Sequence, residues 1–197
     1  DVYKRQDGNW VDSYFCGQLR YGIAFSVCNK LYSLQTLRRE CIAFLPELSI
    51  GEDMLFVFQY LQHCQSIRFS KDASYHYTIV PGSAMFSSMD YTQPYEKTFA
   101  IMSEKERFSS LIADRTLSRW AFDASIIIIA NPFIIDRNYA EFKKWWREFR
   151  QTALYRSAVA SEKPSGYKRR VLQFALHSEN TLAIYVLFRL LRFGKKK

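Results

Sequence analysis

The sequence predicts an α/β protein: a small sheet with flanking helices over residues 1–90, followed by a mainly helical, basic region over residues 91–197. Three observations carry that expectation. "QSIRFS" and "ASYHYTIV" are rich in β-branched and aromatic residues and flank "KDA", the pattern of two short strands around a turn. Residues 53–64 space Leu55, Phe56, Phe58, Leu61 and Cys64 as in a helix buried on most of its circumference. From about Tyr91 the apolar spacing turns helical, with breaks at Pro132 and "KPSG".

With 197 residues and 48% hydrophobic content, the chain can bury one sizeable core, or one core with a helical appendage. It opens "DVYKRQDGNW", with no initiator Met, no basic-then-apolar signal region and no small-residue cleavage site. That opening reads as a chain incomplete at its front and without a secretion signal. "DVYKRQ" fits no later pattern, resembles a translated sequencing-adaptor scar, and is given no functional weight. "YGIAFSVCNKLY" then reads as a short strand running into a loop. "SLQTLRREC" reads as a short helix with Leu34, Leu37 and Cys41 on one side, and "FLPELSIG", punctuated by Pro46 and Gly51, as a loop. "PGSAMFSS" is a second loop. Helices are expected over residues 91–112, 115–130, 137–160 and 167–193.

Two apolar stretches fall short of membrane spans. "SIIIIANPFII" has 11 residues and contains Asn131 and Pro132, against the ~20 apolar residues a spanning helix needs, so a buried helix end or strand suits it. "VLQFALHSENTLAIYVLFRLLRF" has 23, but His177, Glu179, Asn180, Arg189 and Arg192 interrupt it. An interfacial amphipathic helix fits it better, with Arg189, Arg192, Lys195, Lys196 and Lys197 at lipid headgroups.

The net charge of +9 is unevenly placed. Residues 1–136 carry 13 Lys and Arg against 15 Asp and Glu, a balance of −2, whereas residues 137–197 carry 15 against 4, a balance of +11. A basic back end calls for an anionic partner. In "RNYAEFKKWWREFRQTALYRSAV", Tyr139, Phe142, Trp145, Trp146 and Phe149 form an apolar stripe with Lys143, Lys144, Arg147 and Arg150 beside it. One reading is a core helix with a solvated basic face; the other takes the Trp residues as interfacial anchors on an anionic membrane, through residues 137–197. No nucleic-acid-binding module accompanies them, and no nucleic-acid partner is expected. Cys16, Cys28, Cys41 and Cys64 are separated by 12, 13 and 23 residues, which matches neither a zinc ribbon nor a redox CxxC, so free thiols are expected. His63, His76 and His177 are equally scattered.

"SIGEDMLFVFQYL" places Glu52 and Asp53 behind a glycine and ahead of the apolar run. Acidic residues in a first helical turn face the positive end of the helix dipole and its unpaired N–H groups, which is a structural reason for the pair. A catalytic reason is that a carboxylate fixed at a helix entrance can act as a general base, provided it reaches the proton it takes. The residues around the pair bear on that choice. "NKLY", a Phe- and Pro-containing loop into "GED", the following apolar helix, and "YHY" leading to "PGS" succeed one another over residues 29–83. This string resembles the carboxyl-terminal half of the catalytic domain of family 2 glycosyltransferases of the bacterial polysaccharide type, which have the GT-A fold.

The resemblance implies that Asp53 is the catalytic base that deprotonates an acceptor hydroxyl, which attacks the anomeric carbon of a nucleotide-sugar and inverts it. It makes Glu52 an acceptor-side contact, gives Lys30 a structural or acceptor-side role, and puts Ser83 in a loop near the donor diphosphate. His76 is then a ligand or phosphate contact, or else an ordinary strand residue. The chain departs from the family's pattern at Thr78, where relatives often carry Arg, and at Cys28, where a Trp often stands. It has no DxD-type motif and no first βαβ unit, so the divalent cation (Mg or Mn) expected in an intact parent has no ligand set in these residues. The resemblance therefore implies an acceptor-side half of an incomplete GT-A-like domain, inactive by itself. Its parent would make cell-surface polysaccharide from a nucleotide-sugar donor and a sugar or lipid-linked acceptor, in the cytoplasm and peripheral at the inner face of the cytoplasmic membrane. The alternative is a noncatalytic interaction module in which Glu52 and Asp53 only cap a helix and the basic tail binds membrane.

Overall fold

A computed structural model of the chain describes residues 2–4, 26–68, 70, 75, 76, 78, 90–104, 114–161 and 167–193. The chain divides into two units, Asp1–Pro81 with Ile101–Thr116, and Gly82–Ala100 with Leu117–Lys197.

In the first unit the extended segments are β1, Val2–Lys4, and β2, Ser66–Arg68, and the helices are α1, Leu34–Arg39, and α2, Glu52–Leu61. β1 and β2 pair antiparallel with Tyr3 opposite Ile67. The described residues are thus mainly helical, and among them the α/β sheet domain expected from the sequence is not found. The physical reason lies in β2: Ser66 and Arg68 are exposed and Ile67 is only half-buried, so the strand offers no apolar face on which a layer could form. Ser66–Arg68 of "QSIRFS" pairs with β1; within "ASYHYTIV" Tyr75, His76 and Thr78 are exposed and in no regular structure. Its other residues, like residues 21–25 of the expected first strand and the "PGSAMFSS" loop, lie outside the described residues.

α1 starts where expected, with the Ser33 hydroxyl accepting from the Thr36 N–H at 3.3 Å. It ends on Cys41 in the left-handed region, φ 51°, with Ile42 N–H donating to Leu37 O at 3.0 Å, a Schellman closure that usually takes glycine. α2 buries Met54, Leu55, Phe56, Val57, Phe58 and Leu61. Five consecutive buried positions leave the middle of this helix no polar face.

The second unit contains α3, Thr92–Met102, whose last residues belong to the first, and α4, Asp114–Ala130, whose first residues do. There follow α5, Pro132–Ile135, α6, Tyr139–Phe149, α7, Ala153–Val159, α8, Tyr167–His177, and α9, Thr181–Phe193. Short polar residues set the breaks. The side chains of Asn131, Asn138, Thr152 and Asn180 accept from the N–H groups of Phe133, Glu141, Tyr155 and Ala183 at 2.8–3.1 Å. Two caps split what the sequence reads as continuous: Thr152 divides residues 137–160 into α6 and α7, and Asn180 divides residues 167–193 into α8 and α9. No helix among the described residues is long and apolar enough to cross a membrane.

The core of this unit is aromatic. Phe142, Trp145, Trp146 and Phe149 are all buried, with Trp145 stacked on Phe149 at 5.1 Å and Trp146 edge-on to Tyr155 at 5.5 Å. The Trp145 indole donates to Thr92 Oγ1 at 3.2 Å, Thr92 donates to Asp90, and Asp90 pairs with Arg137 at 3.3 Å. The stripe on α6 is therefore a packing surface, and Trp145 and Trp146 are not interfacial anchors. Arg189, expected at headgroups, instead donates to the Tyr185 hydroxyl and lies over that ring at 5.2 Å. α4 is tied by an ion pair between Arg169 of α8 and Asp123, whose carboxyl burial nonetheless holds above the usual carboxylate range.

Phe142, fully buried against Trp145, Trp146 and Tyr185, is the centre of this packing. Phe142→Ala should lower unfolding free energy by about 3–5 kcal/mol, read by urea denaturation. Burial also pushes the Tyr95 phenol up to about 12. A raised pKa in the folded state gives stability that is complete below the unfolded value of about 10 and lost as pH rises through about 12. Thermal melts over that window should show the alkaline decline reduced in Tyr95→Phe.

Candidate functional site

The sequence brings Glu52 and Asp53 to the first turn of α2 by way of Gly51, whose φ of 81° places it in the left-handed region. A β-carbon there would cost about 1–2 kcal/mol, so glycine is what lets the loop turn directly into the helix. No side chain caps this end, and Gly51 O accepts the first helical bond from Leu55 N–H at 3.0 Å. Because Met54 through Phe58 are buried, the first turn is where charge can stand on this stretch. Both carboxylates are half-buried there.

Lys30 stands on a separate loop, two residues before Tyr32. Asn29 takes φ 58°, a left-handed conformation that Asn tolerates, and the loop then bonds to itself. The Lys30 ammonium donates to Ser26 O and to Asn29 Oδ1, Cys28 N–H donates to Ser26 Oγ at 3.2 Å, and Tyr32 OH donates to Val27 O at 3.5 Å. Burial pushes the Lys30 amine below its ordinary value, while Cys28 and Asp53 act in the opposite direction. The Asp53 carboxylate, 23 positions along the chain, thus favours the charged form of Lys30.

An aromatic clasp holds the two parts together. The Tyr32 ring meets Phe56 edge-on at 5.4 Å and Tyr60 edge-on at 4.9 Å, and Phe44 stacks on Phe56 at 4.6 Å. Tyr60 adds a polar tie, its hydroxyl oxygen accepting from Ser33 N–H at 2.7 Å. Such ring pairs are each worth about 0.5–1.5 kcal/mol beyond the area they bury. Tyr60 and Phe44 were not among the residues the sequence singled out. The signal for Tyr60 was its i+4 spacing from Phe56, which puts both on one face of α2.

Of the remaining predicted residues, only His76 is among the described ones. His76 is exposed, in no regular structure, and makes no hydrogen bond or ion pair among the described residues. Ser83 lies outside the described residues. His63 pairs with Glu40 at 3.3 Å, and Arg39 beside Glu40 lowers that carboxyl's pKa, with His63 a smaller cause. Cys28, Cys41 and Cys64 are free thiols; burial pushes Cys64 up and its hydrogen bond with Tyr60 offsets part of that. Among the described residues no three His, Cys, Asp or Glu side chains come together as cation ligands. What the group at α2 offers chemically is a reachable carboxylate pair, one buried-stemmed ammonium, and an aromatic wall.

No family model, no curated protein and no solved structure matches the chain.

Two outcomes follow from this geometry. Asp53→Asn removes the charge that supports the Lys30 ammonium, so the Lys30 pKa should fall further, as followed by NMR titration of labelled lysine; an unmoved pKa would contradict the coupling. Gly51→Ala should destabilise the first unit by about 1–2 kcal/mol, measured by denaturant unfolding.

Proposed function

We propose that this chain carries the base and the acceptor contacts of an inverting glycosyl transfer, from a nucleotide-sugar to a hydroxyl acceptor in cell-surface polysaccharide synthesis. The observation that carries this reading is that Glu52 and Asp53 stand half-buried at the entrance of α2, while Tyr32, two residues from Lys30, packs on Phe56 and Tyr60 of that helix. It rests on those side chains and not on the fold. Asp53 takes the proton of the acceptor hydroxyl as its oxygen bonds to the anomeric carbon, and the nucleoside diphosphate leaves with the electron pair of the broken bond. Glu52 and Lys30 hold the acceptor's other hydroxyls, the first as acceptor and the second as donor of hydrogen bonds. A divalent cation would neutralise charge on the departing diphosphate. The described residues gather no ligands for it, and no step assigned to this chain runs through it.

The test is made in a protein that joins this chain to a donor-binding half. Asp53→Asn there should cut transfer by about 10²–10⁴-fold with melting temperature and donor binding unchanged. Undiminished transfer removes Asp53 from the chemistry.

A second reading, membrane association at the inner face of the cytoplasmic membrane, is favoured by one observation. α9 buries Ile184, Tyr185 and Phe188 yet also exposes Leu182, Val186 and Leu190 at four-residue spacing, and Phe174 of α8 is 78% exposed. Apolar residues on that second stripe, beside a surplus of basic residues, suit an anionic interface. Sedimentation with anionic vesicles should be lost in Leu182→Glu/Leu190→Glu, and unchanged sedimentation would contradict it.

A further inference from the structure

Within the second unit, a pocket of about 360 Å³ lies among α6, α7 and the start of α9, lined by Lys143, Trp146, Arg147, Arg150, Gln151, Tyr155 and Thr181. We propose that this pocket binds a phosphate group carried by a small phosphorylated molecule or a lipid headgroup.

Charge comes first. Lys143 and Arg147 of α6 and Arg150, which caps its C-terminus, stand at i, i+4 and i+7 on one face, and no carboxylate is among the lining residues. Lys143 and Arg147 form no ion pair among the described residues. Like charges at this spacing repel, so the arrangement costs the folded chain a little and is relieved by an anion placed among them. The positive groups are also partly positioned in advance. The Arg150 guanidinium lies over the Tyr155 ring at 5.9 Å, and that ring is fixed by its hydroxyl, which donates to Leu176 O at 2.6 Å. An arginine held in this way keeps the planar fork that matches phosphate oxygens.

Neutral donors complete the lining. Trp146, 1% exposed, forms a packed wall of the pocket, and Gln151 supplies a side-chain amide. Thr181 supplies a hydroxyl at the first turn of a 13-residue helix, whose dipole adds positive potential at that end. Three cations with hydroxyl and amide donors and no acid favour a dianion over a single carboxylate. The volume lies within the range of pockets that hold small ligands. The site uses none of the residues assigned to glycosyl transfer and stands or falls apart from that reading.

The experiment titrates the full chain with inorganic pyrophosphate at low ionic strength, by calorimetry and tryptophan fluorescence. A parallel sedimentation assay uses phosphatidylcholine vesicles with and without phosphatidic acid. Lys143→Gln/Arg147→Gln should weaken binding by at least about tenfold. Lys144→Gln, on the same helix but outside the pocket, should change it by less than about twofold. Both substituted positions are exposed, and thermal melts confirm that the variants fold. Saturable pyrophosphate binding with this pattern supports the site and marks a soluble source; the same pattern with phosphatidic acid vesicles alone supports it and marks a headgroup. Absence of saturable binding to both probes, or equal loss in Lys144→Gln, overturns it.

Discussion

Everything at the amino-terminal site depends on how α2 is buried. Its residues 54 to 58 all point into packed surroundings, which an amphipathic helix would not allow, so the helix cannot carry charge along its length. Charge is therefore confined to the turn before burial begins. Gly51 delivers the chain to that turn in a left-handed conformation, and Glu52 and Asp53 occupy it. The same burial gives Tyr32 and Phe44 something to pack on, and the Tyr32 contact holds the "NKLY" loop against α2. The helix's apolar content thus decides where its acidic pair stands and what faces it.

The second unit solves a similar problem with the opposite distribution. α6 is strongly two-sided: Phe142, Trp145, Trp146 and Phe149 fill the core, and the basic residues have the other face. Because the rings are fixed by one another and by the Thr92 and Tyr155 contacts, the basic face is held on a rigid support. Tyr155 belongs to both sides, edge-on to Trp146 in the core and under Arg150 at the surface. Packing and charge are joined through that one residue.

Local pattern in the sequence was enough to place α1, α2 and α4 and the break at Pro132, since apolar spacing and proline act over a few residues. The splits at Thr152 and Asn180 were missed because the apolar period continues across them, while a single side-chain cap is enough to end a helix. The sheet was misread for a different reason. β2 does pair, but with Val2–Lys4, more than 60 positions away, in a segment that local pattern gave no reason to use. The Trp pair was legible as a stripe but not as core or anchor, because spacing fixes a face and not what covers it. At the proposed site, the sequence singled out Glu52, Asp53 and Lys30 one by one; the packing of Tyr32 on Phe56 and Tyr60 was not legible, since ring contacts across the fold leave no local pattern.

The central claim is that Lys30, Glu52 and Asp53 form one sugar-acceptor site backed by Tyr32. The most direct measurement is an NMR chemical-shift titration of the labelled chain with simple hexose glycosides. Saturable shifts clustered on Lys30, Tyr32, Glu52 and Asp53 are expected. Shifts absent from these residues, or spread evenly over the surface, would contradict it.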